Sequence, residues 1–183
     1  MFDFLQYEFM QNAISAGFLA SISCGIIGAL VVVNRIVFIS GGISHAAFGG
    51  IGLAIFLGLP LLLTTIGFSL GIAIMLALIT LKNKKRADSV IGVIWAGGMA
   101  VGIILIDLTP GYHPELMSYL FGGLLAIPSG ELNLMFLLNI TTVILLIIFY
   151  KDLVAYSYDE EFARLRGIKI DFLYVGLLIV MAV

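Results

Sequence analysis

Five stretches of the chain, near 11–33, 36–58, 60–81, 89–108 and 132–150, run almost without charge for about 20 residues each. That is the length a helix needs to cross the hydrocarbon of a bilayer. Lipid offers no partners to backbone N–H and C=O groups, so each stretch must satisfy its own, which makes it helical. Only 11% of the residues are charged, against about 25% in a soluble domain, so too little polar surface exists for a water-facing fold. These observations predict an all-α polytopic membrane protein, one transmembrane domain over 1–183. A sixth apolar run, Asp171 to Val183, has only 13 residues and is too short to span. It is expected to be the start of a truncated sixth helix, leaving the domain incomplete at its C-terminal side. The N-terminus (MFDFLQYEFMQN) carries Asp3 and Glu8 and lacks the basic region of a signal peptide. The lone Cys24 lies in an apolar run and excludes a disulfide framework.

The nine basic residues are Arg35, Lys82, Lys84, Lys85, Arg86, Lys151, Arg164, Arg166 and Lys169. All fall in three connections: after the first span, between the third and fourth, and after the fifth. If each span crosses once, those connections share one side, and the positive-inside rule makes that side cytoplasmic. The expected placement is therefore a plasma membrane, multi-pass, with the N-terminus outside. The moderately apolar segment Glu115–Ile127 cannot cross without exporting Lys151 to Lys169, so it reads as a short interfacial helix on the outer face. No nucleic-acid partner is expected; the lipid bilayer is the surrounding medium.

His45 sits ten residues beyond Arg35 inside the second span, which places it about 15 Å along a helix and near the bilayer midplane. A buried ionisable group needs a partner or a polar cavity, so His45 is a candidate for a transport pathway or a neutral imidazole bonded to another helix. Ser44 precedes it, and Gly41, Gly42, Gly49 and Gly50 surround it. Small residues recur four apart in the first span too (Ala13, Gly17, Ser21, Gly25, Ala29), and Gly92, Gly97, Gly98 and Gly102 mark the fourth. Such stripes let helix backbones approach closely, so packing is the expectation for most of them. Asn139-Ile140-Thr141 matches a glycosylation sequon but lies mid-span and is discounted. Asp88 reads as the N-cap of the fourth span.

Asp107, His113, Glu115 and Glu131 lie on or beside the outer connection, which has no Lys or Arg. They are either ordinary loop polarity or an acidic entrance that concentrates cations. On the cytoplasmic side, residues 158–167 read as a complete short helix. Asp159 suits the N-cap, Glu160 and Glu161 the positive end of the dipole, Arg164 and Arg166 the negative end, and Gly167 the C′ position. Phe162 and Leu165 form a small apolar ridge. Its balanced charges favour docking into a soluble partner over lying on lipid headgroups.

Three blocks then carry a resemblance: RIVFISGGISHAAFGGIG from Arg35 to Gly52, DSVIG from Asp88 to Gly92, and LMSYLFG from Leu116 to Gly122. Together they resemble the permease subunit of the zinc/manganese/iron uptake class of ABC transporters. The short helix, with Asp159, Phe162, Ala163, Leu165 and Gly167, looks like that family's coupling helix. The resemblance implies a homodimer of permease copies, cytoplasmic ATPase subunits on the coupling helices, and an external metal-binding protein. It implies no permanently bound cofactor, only a transported divalent metal ion. Family members commonly carry Asp four residues before the histidine, and here that position is Gly41. A lone imidazole suits zinc, whereas a carboxylate would favour manganese, so zinc is expected first, with manganese and iron as the alternatives.

No G-x-x-x-x-G-K-[ST] phosphate loop occurs, so the chain is not expected to be an enzyme and ATP would be hydrolysed on a separate subunit. The alternative is an ATP-independent metal channel or carrier using the same histidine. An intramembrane hydrolase pairing Ser44 with His45 is excluded by geometry, since adjacent helical residues point about 100° apart.

Overall fold

A computed structural model describes residues 7–82, 87–111, 123 and 127–183. Its regular elements are α1 (Glu8–Val33), α2 (Val37–Ala46), α3 (Phe48–Leu57), α4 (Leu61–Lys82), α5 (Ala87–Asp107), α6 (Ser129–Tyr158), α7 (Glu160–Leu165) and α8 (Ile170–Ala182). No strand occurs among the described residues. Five helical segments are long and apolar enough to cross a membrane, with α2 and α3 together forming the second. The all-α polytopic expectation is borne out. The proposed interfacial helix at Glu115–Ile127, with His113 and Glu115, falls almost entirely outside the described residues.

Hydroxyl side chains inside the spans satisfy themselves by bonding back to the carbonyl four residues earlier. Ser21, Ser69, Thr80 and Thr141 all do so at 2.7–2.9 Å. They need no water there.

The α2–α3 span is the centre of the molecule: 56% of it is buried, against 6% of α6. It lies between α4 and α5, and a core of Ile39, Ile43, Leu76, Ala77, Ile91 and Leu178 ties α2, α4, α5 and α8 together. Tyr174 adds a polar bond across that core, its hydroxyl 2.9 Å from Thr80 Oγ1. At the end of α3, Gly58 takes φ +66°, and Leu59 N donates to Ala54 O, turning the chain into Pro60 and α4.

α1 joins that core near its C-terminal end through Val31, with Ile27 and Leu30 beside it, and is held to α6 by polar pairs. Asn12 Nδ2 donates to Ser129 Oγ (3.3 Å), Ser23 Oγ to Asn139 Oδ1 (2.9 Å), and Asn34 Nδ2 to Ser157 Oγ (3.0 Å). Asn12, Ser23 and Asn34 recur every eleven residues, about three helical turns, so they share one face. The pairs run in the same order along both helices, so α1 and α6 are parallel. Three spans lie between them, so the connection from α5 to α6 starts and ends at one side of the bundle. At the other end, one cavity of about 270 Å³ is lined by Arg35, Leu81, Asp88, Tyr156, Glu160 and Ile170. The described flanks of the three basic connections therefore meet at one end.

The structure departs from the sequence reading in four places. The second span is two helices, broken at Ala47, two residues after His45. Gly50 N bonds to Ala47 O at 2.8 Å, a tighter turn than the α-helix makes. The break is surrounded by protein, which is where a membrane tolerates one. The glycines of the α1 stripe meet no other element among the described residues: a Cβ placed on Gly17 or Gly25 has nothing within 4 Å. That stripe lies roughly half a turn around α1 from the Asn/Ser face that meets α6. Gly92 and Gly97 likewise face open space. Asp88, expected as the cap, is instead the second residue of α5, where the helix dipole still favours a carboxylate. Finally, α6 continues to Tyr158, so Lys151 to Tyr158 is helix and the short cytoplasmic helix spans only Glu160–Leu165.

Candidate metal-pathway site

The seam between α2–α3 and α5 is built from glycines. A Cβ on Gly52 would lie 2.5 Å from Gly102 O, one on Gly102 2.5 Å from Phe48 O, and one on Gly98 2.6 Å from Ala46 Cα. These are backbone atoms, so the helices meet main chain to main chain. On the α4 side, Cβ atoms on Gly49 and Gly50 would lie 2.8 and 2.7 Å from Phe68. Gly42 admits the side chain of Ile91.

This seam sets His45 against α5. Its ring is stacked on Trp95, centroids 4.2 Å apart and planes 10° apart. Nδ1 is buried and has no hydrogen-bond partner among the described residues. Ser44 is exposed, and its hydroxyl donates to Ser40 O at 2.9 Å. A Cβ on Gly41 would lie 3.2 Å from Trp95 Cζ3, so the indole also occupies the space above position 41. Asp107 is exposed at the far end of α5. No group of three or more His, Cys, Asp or Glu side chains converges among the described residues. Among the described residues His45 belongs to no such group, so a filled coordination sphere would take donors from elsewhere.

Trp95 carried no role in the sequence reading. The signal available was position: tryptophan favours membrane interfaces, and this one sits near the middle of a span.

At the basic end, α7 is capped on both sides. Asp159 Oδ1 accepts from Phe162 N at 3.0 Å. Gly167, at φ +79°, donates its N–H to Arg164 O, and Ile168 N donates to Ala163 O at 3.1 Å, the paired bonds of a Schellman stop. Arg164 Nη2 donates to Glu160 Oε1 and Asp171 Oδ1, both at 3.1 Å. These hydrogen bonds, Glu160's first, hold the guanidinium above its ordinary pKa. Ala163 is fully buried, whereas Phe162 and Leu165 are 52% and 88% exposed. The helix therefore presents an apolar pair outward from a pinned base. Asp159→Ala is expected to cost about 1 kcal/mol of local stability, read as faster amide exchange at Phe162 and Ala163; unchanged exchange would show the cap is idle.

Comparison with known proteins adds a frame. Residues 6–183 match the family model described as the ABC 3 transport family. A "probable metal transport system membrane protein" of Chlamydia trachomatis is 38% identical over 174 residues, covering 92% of this chain and 59% of that protein. A "manganese transport system membrane protein" of Listeria monocytogenes is 26% identical, covering 97% of this chain and 63% of its own length. Among solved structures, PsaBC of Streptococcus pneumoniae in complex with Fab superposes with a TM-score of 0.81 at 27% identity, covering 99% of this chain and 65% of that one. The chain thus spans about three fifths of the length of these curated relatives.

Proposed function

The chain belongs to the ABC 3 transport family, and on that premise we propose that it is the permease of a binding-protein-dependent importer of divalent transition-metal ions. Two copies of the full-length protein line the pathway, an external metal-binding protein delivers the ion, and cytoplasmic ATPase subunits drive the cycle. The N-terminus faces outside. His45 is the ion's ligand on the pathway, with one imidazole from each copy, and Ser44 lies beside it. Asp107, with His113 and Glu115, marks the outer entrance. Zinc is the preferred ion because imidazole, unaccompanied at Gly41, is a borderline-soft donor. Manganese is the second reading, supported by the name of the Listeria relative.

The observation that supports an ATP-driven importer over a channel is α7, with Ala163 buried and Phe162 and Leu165 exposed. A passive channel has no use for a capped apolar knob at its basic end. Reconstituted with its ATPase and binding protein, the full-length permease is expected to accumulate zinc or manganese only when ATP is supplied. Phe162→Ala combined with Leu165→Ala should cut that uptake at least tenfold, the loss of a docking anchor worth roughly 1.4 kcal/mol or more. Uptake at full rate without ATP would establish the channel or carrier instead.

A further inference from the structure

A histidine that holds a metal is ordinarily oriented by a hydrogen bond from its other ring nitrogen. His45 lacks that support, since Nδ1 is buried and unpartnered among the described residues. What fixes the ring instead is the indole, lying 4.2 Å away and 10° from parallel. Stacking covers a face of the imidazole and leaves its in-plane lone pair free, so the contact orients the ring without competing for an ion. Nε2, at the edge opposite the buried Nδ1, is then the nitrogen available as donor.

Trp95 is itself held in place. Phe38 packs against it at 6.0 Å with a 38° tilt. Its six-membered ring also lies over Gly41, where a Cβ would come within 3.2 Å of Cζ3 and 3.6 Å of Cη2. A longer side chain at position 41 would have to displace the indole. The same ring therefore does two things: it aligns the imidazole and keeps the turn below it empty of side chain.

We propose that Trp95 is the positioning residue for His45, replacing the usual hydrogen-bonded support with a ring stack, and that through Gly41 it restricts each copy to one nitrogen donor on this face. The proposal rests on the reading of His45 as an ion ligand given above. Its consequence is selective: a site presented as imidazole alone favours borderline ions such as zinc over ions that prefer oxygen.

The test is zinc chloride titrated into the solubilised full-length permease. Trp95→Phe retains an aromatic face and should bind zinc within about twofold of the wild type. Trp95→Leu stays apolar but offers no aromatic face and should bind three- to tenfold more weakly, the range set by an aromatic pair. Equal affinity of Trp95→Leu and wild type overturns the proposal, as does a Trp95→Phe variant as weak as Trp95→Leu. The contact itself has a readout independent of transport and of variant folding at position 95. The part of the tryptophan emission that belongs to Trp95 should change in His45→Gln even without metal, and zinc should shift it only in the wild type. Emission indifferent to His45 overturns the stack. Wild-type protein that binds zinc but does not transport it overturns the importer reading and leaves the stack standing.

Discussion

Replacing His45 with alanine is expected to lower ATP-dependent zinc uptake at least about a hundredfold while leaving the solubilised protein folded. The magnitude follows from position. Outer-shell partners of a metal already cost 10–100-fold when removed, and His45 is here the donor itself. No other His, Cys, Asp or Glu cluster among the described residues could take its place. The fold should survive because the imidazole makes no hydrogen bond through Nδ1 that its loss would break. Uptake assays on proteoliposomes, with a melting curve on the same preparation, separate the two effects. Uptake within threefold of wild type, at unchanged melting temperature, would make His45 a packing residue whose role is only to carry the indole.

Gly98→Ala is expected to be strongly destabilising, and Gly97→Ala next to it innocuous. A methyl group on Gly98 would lie 2.6 Å from Ala46 Cα and 2.8 Å from Ala46 O, and neither can swing aside. Ordinary overpacking costs about 1–3 kcal/mol, relieved by side-chain shifts. Here α5 must part from α2, so about 3 kcal/mol or more is expected, a fall of about 6–12 °C in Tm at this size. A methyl on Gly97 meets nothing within 4 Å, and alanine is the better helix former by about 1 kcal/mol. Thermal melts of the two variants side by side decide the matter; equal melting temperatures would mean that the α2–α5 seam is looser than the backbone contacts require. Separating the seam also carries Trp95 away from His45, so zinc binding should fall together with stability in Gly98→Ala.

The spans were readable because lipid enforces length and hydropathy over about 20 residues, a signal too large for local detail to hide. The caps of α7 were readable for the opposite reason: Asp159 and Gly167 act within one turn of themselves. The break at Ala47 left no mark, because alanine is the best helix former and no proline interrupts the run. It coincides with Ala46 and Phe48 being pressed against Gly98 and Gly102, contacts made about fifty residues away. The His45–Trp95 stack is invisible for the same reason. The stripe on α1 announces a close approach without saying to what; among the described residues, the Asn12–Ser23–Asn34 face makes the contact to α6. That face was legible as an eleven-residue period in polar residues, a weaker pattern than the glycines beside it.

The pairing of α1 with α6 has a consequence for how the chain is made. Asn12, Ser23 and Asn34 bond to groups 117, 116 and 123 residues further along. A ribosome synthesises α1 first, and its partners emerge only after α2 through α5 have been threaded into the membrane. Throughout that interval Asn34 has only its bond to Leu30 O within its own helix, and Ser23 only the back-bond open to any hydroxyl in a span. The first helix to enter the bilayer thus meets these partners only once the fifth span has followed it.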